Sequence, residues 1–240
     1  MITFNGVTSD SLGIIVDGYS SKPIAKRRVE SQHIPGRNGD LLIDEGVYDN
    51  YTQSYTIYWL PTTSPSSVSA WLNQSGYFKL VDSNFPEYYR MAQVSGPVDP
   101  VNHGDCYMEA SISFNCKPQW FLNSGNTWNS RIITAPDVQV TLENPTNEIA
   151  LPTVYANKQS NNDTMTISVN GEQFQLVPYG TTTGYYIDSE LKEVYYNTFN
   201  RNGAFVGKFP TLKPGTNTLV MSGSSGDNAY VSIMPRWWIA

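Results

Sequence analysis

The stretch Met108-Glu109-Ala110-Ser111-Ile112-Ser113-Phe114-Asn115-Cys116 decides the fold, because apolar and polar residues alternate along its whole length. Successive side chains of a β-strand point to opposite faces of the sheet. A period of two therefore predicts one face in a hydrophobic core and the other in water or at an interface. This one-sided burial is typical of antiparallel sheets, so the stretch predicts a mainly antiparallel β-protein.

The same alternation recurs on both sides of this strand. The alternating residues form these sets: Gln53, Tyr55, Ile57 and Trp59; Val138, Val140 and Leu142; Met165, Ile167 and Val169; Ala229, Val231 and Ile233. Turn residues separate the predicted strands. The pair Asn170-Gly171 stands between two of them, and this pair strongly favours a tight two-residue hairpin.

One helix is predicted, over about residues 64–75. Ser64 can cap it, and Pro65 suits the first helical position. Val68, Trp71 and Leu72 have the spacing of one helical face, and Gly76 is predicted to end the helix. One helix in an otherwise antiparallel β-protein predicts a β-sandwich with the helix laid on one edge or face.

A change in composition divides the chain. The stretch Lys117-Pro118-Gln119-Trp120-Phe121 is followed by a polar loop over residues 122–127, which is typical of a domain boundary. We expect an N-terminal domain over residues 1–132, which holds the helix, and a C-terminal domain over 133–240. The second domain reads as another β-sandwich of about 100 residues.

The composition favours assembly. Only 15% of the 240 residues are charged, against about 25% in an average soluble domain. The surface must therefore be covered by uncharged polar residues and by part of the 16 tyrosines. Such a surface repels copies of itself weakly and is rich in residue types that interfaces favour.

Several classes of protein are disfavoured. The net charge is −6, and the longest basic cluster is Lys26-Arg27-Arg28, whereas nucleic-acid binding needs a concentrated positive patch. We interpret these three charges as a solvated strand face. No apolar run approaches about 20 residues, so we expect no membrane span. The N-terminus shows no signal-peptide pattern, and Cys106 and Cys116 are expected to be free thiols in a protein folded in a reducing cytoplasm.

Catalytic and metal sites find little support. Asp188 and Glu190 would project about 7 Å apart from one strand face, within the range of an inverting glycosidase pair. The surrounding residues instead favour a polar strand end or turn. His103 and Cys106 stand near each other without further ligands, so we predict no zinc site. We predict no catalytic residue, no cofactor and no metal ion.

Across the whole chain, short motifs resemble the distal tail protein family of siphophages that infect Gram-positive bacteria. The motifs that carry the resemblance follow one another in the order Phe4-Asn5-Gly6, Ser11-Leu12-Gly13-Ile14, Ile34-Pro35-Gly36-Arg37-Asn38-Gly39-Asp40-Leu41, Trp71-Leu72, Gly76, Leu80, Tyr88-Tyr89, Lys117-Pro118 with Trp120, Asn144-Pro145, Leu151-Pro152, Ile187-Asp188, Phe209-Pro210 with Leu212, Pro214-Gly215 with Asn217, and Pro235-Arg236-Trp237-Trp238. Each motif is common, and their shared order is what makes the resemblance.

The resemblance implies a fold and a mechanical role. The fold is an N-terminal β-sandwich with a helix and an extended hairpin, followed by a galectin-like C-terminal sandwich. The role is a hexameric ring, a hub at the tail tip of the virion. It joins the tail-tube protein to tail-associated, tail-fibre or receptor-binding proteins, and it involves neither nucleic-acid recognition nor a membrane.

Two groups of residues are candidates for contacts between subunits. The resemblance implies that the hairpin turn helps to join neighbouring subunits, and its residues are Ile34, Pro35, Gly36, Arg37 and Gly39. Interface-type aromatic residues form the second group, as core packing or as subunit contacts: Tyr88, Tyr89, Trp120, Trp237 and Trp238. The main alternative is a carbohydrate-binding β-sandwich that acts as an adhesin, in which aromatic pairs would stack on sugars.

Overall fold

The computed structural model describes residues 1–18, 21–132, 138–223 and 229–240. Strands make up 50% of the chain and helix only 8%, and the named strands pair in the antiparallel sense. The prediction of a mainly antiparallel β-protein with one α-helix is therefore confirmed for the described residues. Backbone contacts divide the chain into two compact units, Met1–Trp120 with Ala240, and Phe121–Ile239.

The first unit is a strongly curled sheet with a helix and a separate hairpin. Its elements are β1 (Ile2–Phe4), β2 (Val7–Thr8), β3 (Ile14–Val16), β4 (Arg27–Gln32), β5 (Leu41–Tyr48), β6 (Tyr51–Trp59), α1 (Pro65–Leu72), β7 (Phe78–Asp82), β8 (Tyr88–Val94), β9 (Val101–Asn102) and β10 (Met108–Cys116). The sheet runs in the order β2-β1-β7-β8-β10-β6-β3, whereas β4 and β5 form a two-stranded sheet of their own.

The strand that decides the fold is central to this sheet. β10 pairs with β6 along its full length, from Met108 opposite Trp59 to Cys116 opposite Tyr51. Its apolar side chains enter the core, where the rings of Phe114 and Phe4 lie 5.1 Å apart. Because β1 and β10 are not neighbours in the sheet, this contact shows how strongly the sheet curls around its core.

Helix α1 buries the three residues predicted for its apolar face, but it ends earlier than predicted. Val68, Trp71 and Leu72 are buried, and the indole of Trp71 donates to the carbonyl of Phe4. The helix stops at Leu72 because Asn73 leaves helical geometry, with ψ at 64°. Gly76, with φ at 110°, lies beyond the helix in the turn that leads to β7.

The second unit is a sandwich of two sheets. The strands of these sheets are β12 (Asn129–Ile132), β13 (Val138–Asn144), β14 (Thr153–Asn157), β15 (Met165–Val169), β16 (Glu172–Leu176), β17 (Gly184–Asp188), β18 (Glu193–Tyr196), β19 (Phe199–Asn200), β20 (Phe205–Gly207), β21 (Gly215–Ser222) and β22 (Tyr230–Met234). Two further strands, β11 (Trp120–Leu122) and β23 (Trp238–Ile239), pair with each other and belong to neither sheet. One sheet has the order β12-β22-β14-β17-β18-β19 and the other β13-β21-β15-β16-β20, with the core between them.

The predicted hairpin at Asn170-Gly171 is confirmed. β15 and β16 pair in register on either side of it, from Met165 opposite Leu176 to Val169 opposite Glu172. Asn170 and Gly171 both adopt positive φ, at 53° and 87°. A two-residue turn of this kind matches the twist of the strands and needs residues that tolerate left-handed geometry.

The predicted domain limits, 1–132 and 133–240, stay a prediction, since residues 133–137 lie outside the described residues. The contacts divide the chain earlier, within the stretch Lys117–Phe121 where the composition changes. The reason is that Asn129–Ile132 pairs with Tyr230–Met234 in the six-stranded sheet. The galectin-like character of the second unit also stays a prediction.

Candidate functional site

The hairpin β4–β5 forms a two-stranded sheet of its own. Every residue of β4 is exposed, and so is most of β5. At the turn, the N–H of Arg37 donates to the carbonyl of Ile34 across 3.2 Å. Pro35 and Gly36 are the central residues, and Gly36 has φ at 81°, which is the geometry that proline followed by glycine favours. Gly39 supplies a second positive φ, at 78°.

Ion pairs join the two strands of the hairpin. Arg27 lies 2.9 Å from Asp44, and Arg28 lies 2.7 Å from Asp49. The N–H of Gly46, helped by Arg27, lowers the pKa of the Asp44 carboxyl. Within the basic cluster, Arg27 and Arg28 are therefore exposed strand residues whose charges are paired. Exposed ion pairs of this kind contribute little stability each.

Apolar side chains are exposed on both faces of the hairpin. Val29 and Leu42 share one face, since Val29 pairs with Asp44, two residues beyond Leu42. Ile43 lies on the opposite face, beside its partner Glu30. Leu42 is 68% exposed, and Val29 and Ile43 are each more than 40% exposed. An isolated two-stranded sheet is marginally stable in water, so this hairpin is suited to packing against another surface.

Of the predicted aromatic residues, Trp120 is an interior residue of the chain. It is 1% exposed, and the guanidinium of Arg90 lies 4.3 Å from its ring. Tyr88 is half-buried, with the ammonium of Lys22 3.9 Å above its ring. Tyr89 is buried, and Lys79 lies 4.3 Å from its ring. Among these, Tyr88 offers the most surface to a partner.

The two C-terminal tryptophans also divide between interior and surface. Trp237 is buried in the core of the second unit, whereas Trp238 is half-buried. The indole of Trp238 donates to the carbonyl of Ile149 across 2.9 Å. Trp238 packs partly against the same core.

Sequence reasoning missed a buried polar network around Arg90. Arg90 is 1% exposed, and its guanidinium donates to the hydroxyl of Tyr55 at 2.6 Å and to the side-chain carbonyl of Gln53 at 3.4 Å. The hydroxyl of Tyr55 donates in turn to Asp82, at 2.9 Å. Burial raises the pKa of Tyr55, so its hydroxyl keeps its proton. The guanidinium at the centre of this network also lies against the ring of Trp120.

The carboxylates of Asp188 and Glu190 are held by one arginine. Arg236 lies 3.2 Å from Asp188 and also donates to Glu190. Asp188 further accepts the backbone N–H groups of Glu190 and Leu191, at 2.9 and 3.0 Å. These contacts place Asp188 at a strand end followed by a turn, as the surrounding residues predicted. Both carboxylates are therefore engaged by an arginine of the same chain.

His103 is engaged by two neighbouring side chains. The imidazole of His103 stacks on Tyr107, with ring centroids 4.5 Å apart, and lies 3.1 Å from Glu109. Within the described part of the chain, no group of three or more His, Cys, Asp or Glu residues could hold a metal ion. Among the same residues, no helix has the length and apolar character needed to span a membrane.

The two cysteines are free thiols that should differ in reactivity. Cys106 is exposed, whereas Cys116 is buried, and burial raises the pKa of its thiol to about 11. At pH 8 only about one Cys116 in a thousand would be a thiolate, even before access is considered. We expect a thiol reagent such as DTNB to modify one cysteine per native chain and both in denaturant. Cys106→Ser should abolish the native reaction, and rapid native modification of both thiols would contradict this prediction.

The fold and these surfaces define a class: a two-unit, antiparallel β-protein that carries an exposed hairpin. Among solved structures, the chain is similar to the Dit (gp 19.1) protein of SPP1, described as a paradigm of the hub adsorption apparatus in phages that infect Gram-positive bacteria. The TM-score is 0.67 at 11% sequence identity, and the match covers 97% of this chain and 96% of that one. No protein-family model and no curated protein matches the sequence. The resemblance to distal tail proteins is thus confirmed at the level of the fold.

Proposed function

We propose that this protein is a distal tail protein, a structural hub at the tip of a phage tail. Six copies form a ring that joins the tail-tube protein to the tail-fibre or receptor-binding proteins. The chain is made in the host cytoplasm and becomes part of the virion, and the role needs no catalysis and no cofactor. The observation that carries the proposal is the structural match to a hub protein over 97% of the chain.

The hairpin supports an assembly role independently of that match. A closed ring with head-to-tail contacts needs two different surfaces on each subunit, and one of them can be a projecting element. The hairpin β4–β5 is a separate two-stranded sheet that exposes Val29, Leu42 and Ile43. Covering these apolar residues with a neighbouring subunit is favourable, because it removes apolar surface from water.

Arg37 at the hairpin turn is proposed to contact the neighbouring subunit. We expect Arg37→Glu to weaken the ring, because charge reversal at an interface arginine removes its contact and adds repulsion. The dissociation constant should rise tenfold or more, which corresponds to about 1.4 kcal/mol. Analytical ultracentrifugation over a concentration series measures this constant. Arg131→Glu, at an exposed arginine of the second unit, is the matched control and should leave the ring intact.

The oligomeric state decides between the hub and its alternatives. Size-exclusion chromatography with light scattering should give six times the chain mass of 26.8 kDa. A glycan array should then give no signal. A monomer that binds host polysaccharide would instead support the adhesin. Glycosidase activity that is lost on replacing Asp188 or Glu190 would support an enzyme, although Arg236 binds both carboxylates.

A further inference from the structure

Asparagine followed by glycine occurs four times in the chain, at Asn5-Gly6, Asn38-Gly39, Asn170-Gly171 and Asn202-Gly203. Such a pair can react with itself. The backbone nitrogen of the glycine attacks the side-chain amide carbon, a new C–N bond closes a succinimide ring, and the amide nitrogen leaves as ammonia with the proton of the attacking nitrogen. Water then opens the ring to aspartate or isoaspartate. Glycine favours the attack because it has no Cβ atom to restrict the approach.

Two of the four asparagine side chains are held by hydrogen bonds. The amide of Asn170 donates to the side-chain carbonyl of Asn217 at 2.8 Å and accepts the N–H of Thr218 at 3.0 Å. The side-chain carbonyl of Asn202 accepts the N–H of Val194 at 2.6 Å. Ring closure turns the amide towards the following nitrogen, so each of these two sites must open before it can react.

The pair Asn5-Gly6 is held by its backbone. The two residues form the turn between β1 and β2, and Phe4 pairs with Val7 across it. The N–H of Asn5 donates to the carbonyl of Lys79 at 3.0 Å, and φ is positive at both turn residues, at 50° and 78°. In left-handed backbone geometry, the next nitrogen lies on the far side of the Cα–C bond from Cβ. The turn must therefore change before the two atoms can meet.

Asn38 is free of these restraints. Asn38 and Gly39 are exposed at the tip of the hairpin, and φ is positive at Gly39 but not at Asn38. Within the described part of the chain, neither residue takes part in a hydrogen bond. The hydrogen bonds of this stretch belong to their neighbours, because the N–H of Arg37 donates to the turn and Asp40 accepts from Ser31 at 2.8 Å.

We propose that Asn38 deamidates spontaneously in the folded chain, and that it reacts faster than the three other Asn-Gly pairs. Water is the only reactant. The product carries a carboxylate beside Arg37, so the net charge becomes one unit more negative than −6. The isoaspartate form also lengthens the backbone of the turn by one atom. The modification does not rest on the proposed ring, although it changes the charge of the turn that is proposed to meet the neighbouring subunit.

Mass spectrometry of the full native chain, aged in mildly alkaline buffer, tests the proposal. A protease that cleaves after glutamate releases residues 31–45, in which Asn38 is the only asparagine. Digestion in acid prevents further reaction. We expect this peptide to show conversion of amide to carboxyl about tenfold faster, or more, than the peptides with Asn170 or Asn202, because those sites react only after local opening.

The same measurement in guanidinium chloride separates the fold from the local sequence. The four pairs should then react at similar rates, since glycine follows asparagine in each. A native rate at Asn38 that does not exceed the rates at Asn5, Asn170 and Asn202 would overturn the inference. An unchanged order of rates in denaturant would overturn it as well, because the fold would then not set that order.

Asn38→Gln provides a variant that keeps the amide, since the longer side chain would have to close a larger ring, which forms far more slowly. The aged parent should gain a more negative form on anion exchange, and this variant should largely lack it. Asn162→Gln, the same change at an exposed asparagine followed by aspartate, should gain the form like the parent. Equal formation in Asn38→Gln and the parent would overturn the inference. A parent that is monomeric at every concentration would overturn only the proposed function.

Discussion

Replacing Arg90 with methionine is expected to lower the free energy of unfolding by about 3 kcal/mol, the scale observed when one partner of a buried ionic network is removed. Methionine fills much of the same space but donates no hydrogen bond. The hydroxyl of Tyr55 and the carbonyl of Gln53 would each lose a donor inside the first unit. Trp120 would lose the guanidinium that lies 4.3 Å from its ring.

Urea denaturation of the full chain, followed by tryptophan fluorescence and far-ultraviolet circular dichroism, measures this loss. Arg37→Met provides the control, since it makes the same substitution at an exposed turn. It should leave the unfolding midpoint of the isolated chain unchanged, because surface substitutions rarely exceed about 0.5 kcal/mol. If Arg90→Met unfolds at the same urea concentration as the parent, the network does not stabilise the unit.

The sequence was informative where a local pattern determines the structure. The alternation from Met108 to Cys116 predicted a strand whose apolar face is buried, because strand side chains must alternate. Asn170-Gly171 predicted a hairpin because few other residues adopt two positive φ angles in succession. Helix α1 was predicted for the same kind of reason. The end of the helix was predicted wrongly. The helix was expected to continue to Gly76, whereas Asn73 already has non-helical backbone angles.

Contacts between distant residues were beyond a reading of one sequence. Arg236 meets Asp188 across a separation of 48 positions, and no local pattern indicates that partnership. The buried position of Arg90 did leave a signal, since it stands in phase with Ala92 on the inward face of β8. A charged residue at an inward position of a strand indicates a buried partner, and here the partners are Tyr55 and Gln53.

The candidate interface shows the same division between local and distant information. The turn at Pro35-Gly36 follows from its own residues, and the structure confirms its geometry through the positive φ of Gly36. Whether the turn meets another subunit depends on contacts between chains, which the residues of the turn alone do not determine. The role of Arg37 and of the aromatic residues in subunit contacts therefore stays a prediction.

Gly125→Ala is expected to be the other strongly destabilising substitution, with a loss of about 3 kcal/mol or more. A methyl group on Gly125 would overlap the backbone nitrogen of Trp237 and lie 3.0 Å from its Cβ atom. Backbone atoms cannot rotate away as a flexible side chain can. The C-terminal segment would have to move. This movement would disturb the hydrogen bond that the N–H of Arg236 donates to the carbonyl of Gly125 at 2.8 Å.

Gly18→Ala separates this clash from a general effect of losing a glycine. A methyl group on Gly18 would meet nothing within 4 Å, so Gly18→Ala should be neutral or slightly stabilising because it restricts the unfolded chain. Gly125→Ala should also speed hydrogen exchange at Trp238–Ile239 and at Leu191, whose N–H is held by Asp188. Exchange at Trp238–Ile239 rises because the C-terminal segment moves. Exchange at Leu191 rises if the movement of Arg236 releases the two carboxylates that it binds. Faster exchange at the C-terminal strand alone would show instead that the Asp188 turn holds without its arginine.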